Sequence, residues 1–408
     1  MMPHGRVVLA LCLGACACAN GPPPEGAAPG EPSEPEVAPE SAVASGAVAR
    51  ASDAVDAERS GRFEAAVRTT GPLRGVERAR FPHELEREVA AEPALVAALA
   101  RSPRPEVRIA VAALFGDERA LDVSVAPPLG LGTASRAVLF ELMGSPDEVV
   151  ALAATTAAMG AGRAPRFDAE VQAELERRCA SEPRPIVRGA ACAGVVHHLH
   201  PSFHESAAAQ ELAAAALADP EPWVAVRTLE ELSFASLDPR HQGRLVPLLG
   251  HAQPAVRGLA ALVLGRSVRR DGKPVAEAVE RARSAQVALL ADADPFVRCE
   301  AVLGLGSDAH RGAYGYVEAA LGLFDDEAAA ATALAYRRPT LAGVEDDRWE
   351  VRSASPTVAD CAKKGMLLKA RIAEGAVTFD AWDLFPEKGA DVVREWWKPL
   401  HERLKHRR

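Results

Sequence analysis

One phrase recurs along the chain: a proline, a single spacer, a valine, then an apolar run at helical spacing, with arginine directly after the valine in most copies. The copies read PEVRIAVAALFG from Pro105, PIVRGAACAGV from Pro185, PWVAVRTLEEL from Pro222, PAVRGLAALVLG from Pro254 and PFVRCEAVLGLG from Pro295. A weaker copy, SPDEVVALAATTAAMG, starts at Ser145. The valines (Val107, Val149, Val187, Val224, Val256 and Val297) stand 32 to 42 residues apart. That is the period of helical hairpins stacked as a solenoid. Each valine opens a narrow stripe of small apolar residues, as in Val107, Val111 and Leu114, or Val256, Ala260 and Val263. One hairpin cannot bury such a stripe alone, but stacked neighbours can.

Each repeat reads as helix A, a short proline-containing turn, and helix B. In the third, Arg166–Ala180 is helix A: Phe167, Val171 and Leu175 recur every four positions and charges cover the other face. Helix B begins at Pro185, where a missing N–H costs nothing because the first turn has no acceptor for it. Asp294 is placed to cap the sixth B helix, and Gly116, Gly160, Gly265 and Gly306 fall where B helices should stop. A degenerate seventh unit is expected over Arg311–Arg337, with YGYVEAALGLF as helix A and DDEAAAATALAY as helix B. Ser52–Thr69 reads as a capping helix ahead of the first repeat.

The tandem proline, valine and arginine with an A-x-x-L-G ending resemble HEAT repeats, particularly the short variety of the bilin lyases. The resemblance covers about residues 84–337. It implies an all-α, right-handed α-α superhelix, a HEAT-like or armadillo-type solenoid of about six to seven helical hairpins. It does not imply a chemistry, because the superfamily includes scaffolds, adaptors and enzymes. Deoxyhypusine hydroxylases of this fold bind iron through His-Glu pairs at matching repeat positions. The pairs here, His83-Glu84, His204-Glu205 and His401-Glu402, do not repeat in that way.

The N-terminus sets the compartment. MMPHGR is followed by the apolar run VVLALCLGA and then Cys16. The run is too short to span a membrane and fits a signal peptide. Leu13, Gly14, Ala15 and Cys16 resemble a bacterial lipobox, which implies cleavage before Cys16 and its lipidation; an ordinary secretory cleavage is the alternative. Residues 21–49 are rich in proline and poor in apolar groups, a composition that forms an extended tether rather than a core. The chain therefore divides into a signal peptide (1–15), a lipid-anchored proline-rich linker (16–50), an N-terminal cap (51–83), the repeats (84–337) and a C-terminal cap (338–408) holding four of the five tryptophans. The expected location is the bacterial cell envelope, lipid-anchored, at the outer membrane. A formal net charge of -9 argues against a nucleic-acid partner, which needs a basic face.

Candidate chemistry is sparse. His197, His198, His200 and His204 form the one dense set of potential metal ligands, with no cysteine or spaced carboxylate to complete it. Exposed loop histidines are the plainer reading. Arg108, Arg188, Arg257 and Arg298 share one repeat position; they form either a binding row for an acidic partner or bonds to turn carbonyls that hold the stack together. Trp223 and Phe296, at equivalent turn positions, are candidate interface anchors. Cys179, Cys192, Cys299 and Cys361 read as buried thiols, although an oxidising envelope permits disulfides. There is no nucleophile motif or phosphate loop. The sequence thus points to a non-catalytic, cofactor-free scaffold for an unidentified protein partner, touching the membrane only through its lipid. The alternatives are a metal-binding or enzymatic use of the histidines, and cell-wall or lipid-headgroup binding by the C-terminal segment.

Overall fold

The computed structural model describes residues 57–67, 88–116, 133–161, 168–199, 202–235, 237–267, 277–307, 316–335, 348–374 and 395. Cys16 and the tether lie outside them. A first helix, α1, covers 57–67. Hairpins follow: α2 (Pro93–Ala100) with α3 (Pro105–Ala113), α4 (Thr133–Met143) with α5 (Glu148–Ala161), α6 (Ala169–Ser181) with α7 (Pro185–His198), and α8 (Ala207–Ala216) with α9 (Pro222–Leu232). The fifth pairs α10 (Pro239–Gln242) and a 3-10 turn (Pro247–Gly250) with α11 (Pro254–Ser267); the sixth pairs α12 (Glu277–Ala288) with α13 (Pro295–Ser307). Each B helix packs on the next, so α3, α5, α7, α9, α11 and α13 form one continuous layer, an all-α solenoid.

Proline at the first helical position starts α3, α7 and α9. Val107, Val187, Val224, Val256 and Val297 are all fully buried. The second repeat is shifted by one. Asp147 caps α5 through the backbone N–H of Val149 and Val150, as Asp294 caps α13 through Phe296 and Val297. Val150 is the buried member and Val149 only half-buried, so the core valine is Val150 and Ala151 takes the arginine position. The proline misled the count: Pro146 lies two residues before helix α5 instead of opening it.

A second periodic position is less visible in sequence. The third residue before each B helix caps its own turn by accepting the N–H two residues on. Ser102 serves Arg104, Ser145 serves Asp147, and Glu182 serves Arg184. Asp219, His251, Asp292 and Asp326 do the same for Glu221, Gln253, Asp294 and Ala328. Serine, glutamate, aspartate and histidine share only a side-chain acceptor within reach of that N–H.

The seventh unit departs from expectation. Its A helix, α14 (Val317–Leu321), is followed by the Asp326 turn, but the alanine-rich stretch then forms a strand, β1 (Ala329–Ala335). It pairs antiparallel with β2 (Arg348–Thr357). The B helix starts only afterwards, as α15 (Val358–Glu374). The turn resumes as if uninterrupted: Val358 and Ala359 donate backbone bonds to the carbonyls of Ala328 and Asp326. Thr357 caps α15 at Asp360 N. The ribbon is therefore an insertion in the seventh turn. Alanine favours helix, but this stretch lacks the valine-led stripe that docks a B helix, and α15 supplies it with Val358, Ala362 and Met366, all fully buried. The ribbon lies against α11, α13 and α15, with Ala330, Thr332, Val351 and Ser355 buried.

All four cysteines of the described residues are paired, contrary to the thiol reading. Cys179–Cys192 joins α6 to α7 and Cys299–Cys361 joins α13 to α15, with Cα separations of 4.6 and 5.2 Å. Cys192 lies two turns into α7, whereas Cys179 is close to the end of α6. Glu182 and Arg184 are extended, so the turn carries the chain beyond the end of α6 at about 3.3 Å per residue before α7 returns. That overshoot brings Cys192 level with Cys179.

Candidate functional site

The arginine row sits in the stack. Arg188 donates from Nε and Nη2 to both oxygens of Asp219 in the next repeat's turn (2.8 and 3.0 Å), and from Nη1 to the Glu182 carbonyl in its own turn (2.7 Å). Arg257 repeats this on Asp292 (3.1 and 3.0 Å) and the His251 carbonyl (2.8 Å). Arg298 donates from Nε to Asp326 Oδ2 (2.9 Å), with Nη2 2.7 Å from the same oxygen, and from Nη1 to the Asp292 carbonyl. Arg108 meets serine, not aspartate, at the next turn position, and instead approaches Asp147 at 3.6 Å. Asp219 shows the electrostatics. Burial acts to raise its pKa, but the hydrogen bonds from Arg188 and the Glu221 N–H, with the guanidinium charge, hold it below the ordinary carboxylate range. Arg188, Arg257 and Arg298 thus each join their own turn to the next.

Trp223 and Phe296 are not on an exposed rim, which corrects their reading as interface anchors. Both are buried. Trp223 packs over Gly189 and Phe296 over Gly258, the glycine directly after the arginine in the preceding repeat. A Cβ on Gly189 would lie 2.9 Å from the indole, and one on Gly258 would lie 2.8 Å from the phenyl ring. The signal was in the sequence: VRG in one repeat is answered by an aromatic before the valine of the next.

The described histidine of the cluster is His197 on α7. Its Nδ1 lies 2.9 Å from Glu231 Oε2 on α9, which bridges two B helices. The side chains of His198, His200 and His204 lie outside the described residues. Among the described residues no group of three or more metal-ligating side chains converges.

What the structure adds is a polar patch across α7, α9 and α11, beyond the part of the B layer that the ribbon covers. It comprises His197 and Glu231, the paired Arg227 and Glu230, and Phe234, the one exposed large hydrophobic residue among the described residues at 56%. Arg266 closes it by donating to the Ser233 carbonyl at 2.6 Å. Glu230 keeps 26% of its side chain accessible, yet desolvation, opposed by Arg227 and reinforced by Glu231, pushes its carboxyl up. Little in the sequence marks the patch, because these residues follow no repeat position shared by all copies.

Under the ribbon lies a buried carboxyl, Glu300 on α13, only 3% exposed. Burial raises its pKa against a Ser353 hydrogen bond and the charges of Arg266 and Lys364. Its Oε2 is buried without a hydrogen-bond partner. Burial also pushes the Lys364 ammonium down.

No protein-family model matches the chain, and no curated protein sequence matches it significantly. Among solved structures, it is similar to YibA of Escherichia coli at 13% identity and a TM-score of 0.46, over 79% of this chain and 96% of that one. An engineered protein follows at 18% identity and 0.43, over 76% and 74%. Human deoxyhypusine hydroxylase in complex with glycerol gives 15% and 0.27, over 77% and 97%. The solenoid assignment stands on the helix stacking itself.

Proposed function

We propose that the chain is an exported, lipid-tethered scaffold that holds a protein partner against the open patch on α7, α9 and α11 without catalysing a reaction on it. The observation that carries this reading is the patch itself. Phe234 is exposed beside charges of both signs, on helices fixed by the turn network, so a partner would meet a surface that is already ordered. An aromatic surrounded by mixed charge suits a protein surface better than a phosphate backbone. The two disulfides favour an oxidising compartment, in agreement with a signal peptide ahead of Cys16. Among the described residues no helix is long and apolar enough to cross a membrane. The test is in two parts. Cys16→Ser should move the protein from the membrane fraction to the soluble fraction; retention in the membrane would refute the anchor. Arg227→Glu should abolish co-purification of the partner in protein that is still helical by circular dichroism; undiminished co-purification would refute the patch.

A further inference from the structure

The contacts between successive turns contain one gap. Between repeats three and four the tie is Arg188 to Asp219; between five and six, Arg257 to Asp292; between six and seven, Arg298 to Asp326. Repeats one and two meet through Arg108 and Asp147. Repeats two and three, where Ala151 replaces the arginine, are joined in the reverse direction. There Arg178 donates to the Met143 carbonyl and Arg184 to the Ser145 carbonyl, each at 2.7 Å. Between repeats four and five both partners are missing. Ala225 stands at the arginine position and His251 at the aspartate position, and the His251 imidazole is spent on its own turn, accepting from Gln253 N.

A second contact is missing at the same place. The other B-helix junctions each include a glycine packed close to the adjoining helix. Gly116 meets Ala157, Gly194 meets Met159, Gly189 meets Trp223, Gly265 meets Gly304, and Gly306 meets Gly365. Helix α9 has no glycine, and both glycines of α11, Gly258 and Gly265, face repeat six. The fifth A element is also the least regular of the first six, a four-residue helix and a 3-10 turn. What does cross the junction lies elsewhere: Arg266 to the Ser233 carbonyl, Gln210 accepting from Asp238 N at 2.9 Å, and His241 Nε2 at 3.7 Å from Glu211 Oε1.

We infer that the junction between repeats four and five is a hinge, with its pivot at Arg266 and Ser233 and its free side at the turns carrying Ala225 and His251. The solenoid then consists of two stiff arms, repeats one to four and repeats five to seven. Phe234 is the next residue after the pivot carbonyl, so rotation of the arms swings repeat five relative to the patch beside it. This use of the hinge rests on the proposed binding role of that patch; the hinge itself does not.

The experiment measures motion without any partner. Spin labels at Glu221→Cys and Ala252→Cys, both exposed, span the gap. Labels at Ala252→Cys and Ala293→Cys, also exposed, span the tied junction between repeats five and six. The native cysteines among the described residues are paired and do not compete, and Cys18 is replaced by serine. Double electron–electron resonance should give a clearly broader distance distribution for the first pair. Amides of the repeat-five turn should exchange about tenfold faster than those of the repeat-four and repeat-six turns. Ala225→Arg with His251→Asp, which restores the missing pair, should narrow the first distribution and slow that exchange. Equal widths and equal exchange in the unaltered protein would overturn the hinge, whatever the restored variant does. A hinge confirmed in a protein whose Arg227→Glu variant still holds its partner would instead refute the patch.

Discussion

The disulfide between α13 and α15 offers the sharpest test of how the solenoid ends. It closes a loop of 62 residues that contains α14 and the ribbon, whereas Cys179–Cys192 closes only 13. In the chain-entropy description the longer loop removes about 14 cal/mol/K from the unfolded ensemble, about 4 kcal/mol at 25 °C, and the shorter about 3 kcal/mol. The local consequence differs more than those totals. Cys179 and Cys192 lie within one hairpin that is packed on both sides. Cys299 and Cys361 instead fasten the last described B helix, which has the stack on one side only. That helix also packs on α13 through Gly306 against Gly365 and Gly365 against Val302, with Val358, Ala362 and Met366 buried. Cys299→Ala with Cys361→Ala should therefore leave repeats one to five protected in hydrogen exchange while α15 and the ribbon exchange faster by two to three orders of magnitude, about 3–4 kcal/mol of local stability. In the unaltered protein under dithiothreitol, α15 and the ribbon should loosen in the same way. Unchanged protection of α15 in both experiments would refute the argument. So would alkylation of all four thiols in protein folded in an oxidising compartment.

Further outcomes follow from the same contacts. Burial raises the Glu300 carboxyl's pKa above its unfolded value, so its contribution to stability declines as pH rises from about 4.3 through the higher folded value. Glu300→Gln should thus raise the melting temperature by about 2–4 °C at pH 7.5 and leave it unchanged at pH 4; a lower melting temperature at pH 7.5 would contradict this. Arg188 and Asp219 have side chains 16% and 13% exposed, between the surface and buried limits, so a double-mutant cycle should give a coupling of about 2 kcal/mol. Because the Asp219 carboxyl is held low, that coupling should be full above about pH 4 and vanish as the carboxylate protonates below it; a coupling independent of pH would refute the pair. Gly304→Ala would place a methyl 2.4 Å from the Ala261 carbonyl oxygen. The gain in helix propensity, about 1 kcal/mol, should be outweighed by an overpacking cost of about 1–3 kcal/mol, read as a lower denaturation midpoint.

The B layer was legible because one residue type does one job in every copy. A proline sets the first turn, a valine two residues on enters the core, and the period of the pair gives the stack. The errors came where that correspondence loosens. At Pro146 the proline moved out of the helix and carried the predicted core position with it, from Val150 to Val149. At Ala329–Ala335 composition favoured helix, but pairing with Arg348–Thr357 decided the backbone, and a contact between segments separated by an insertion leaves no local trace. The disulfides depended on an overshooting turn, which is a matter of ψ at Glu182 and Arg184 rather than of spacing. Trp223 and Phe296 needed the preceding repeat's glycine to be read with them. The open patch was least legible, because His197, Arg227, Glu230 and Phe234 are individual to their repeats, and function on a repeat scaffold resides in such departures.

The central claim is that a protein partner sits on the B-helix face beside Phe234. A photo-crosslinking residue at position 234 in the lipidated protein, in intact cells, tests it most directly, with position 211 on the outer helix α8 as the control, since Glu211 is 73% exposed there. The account predicts a crosslinked product at 234 that is absent at 211 and disappears in Arg227→Glu. The same products from both positions, or none from 234 while 211 yields one, would contradict it.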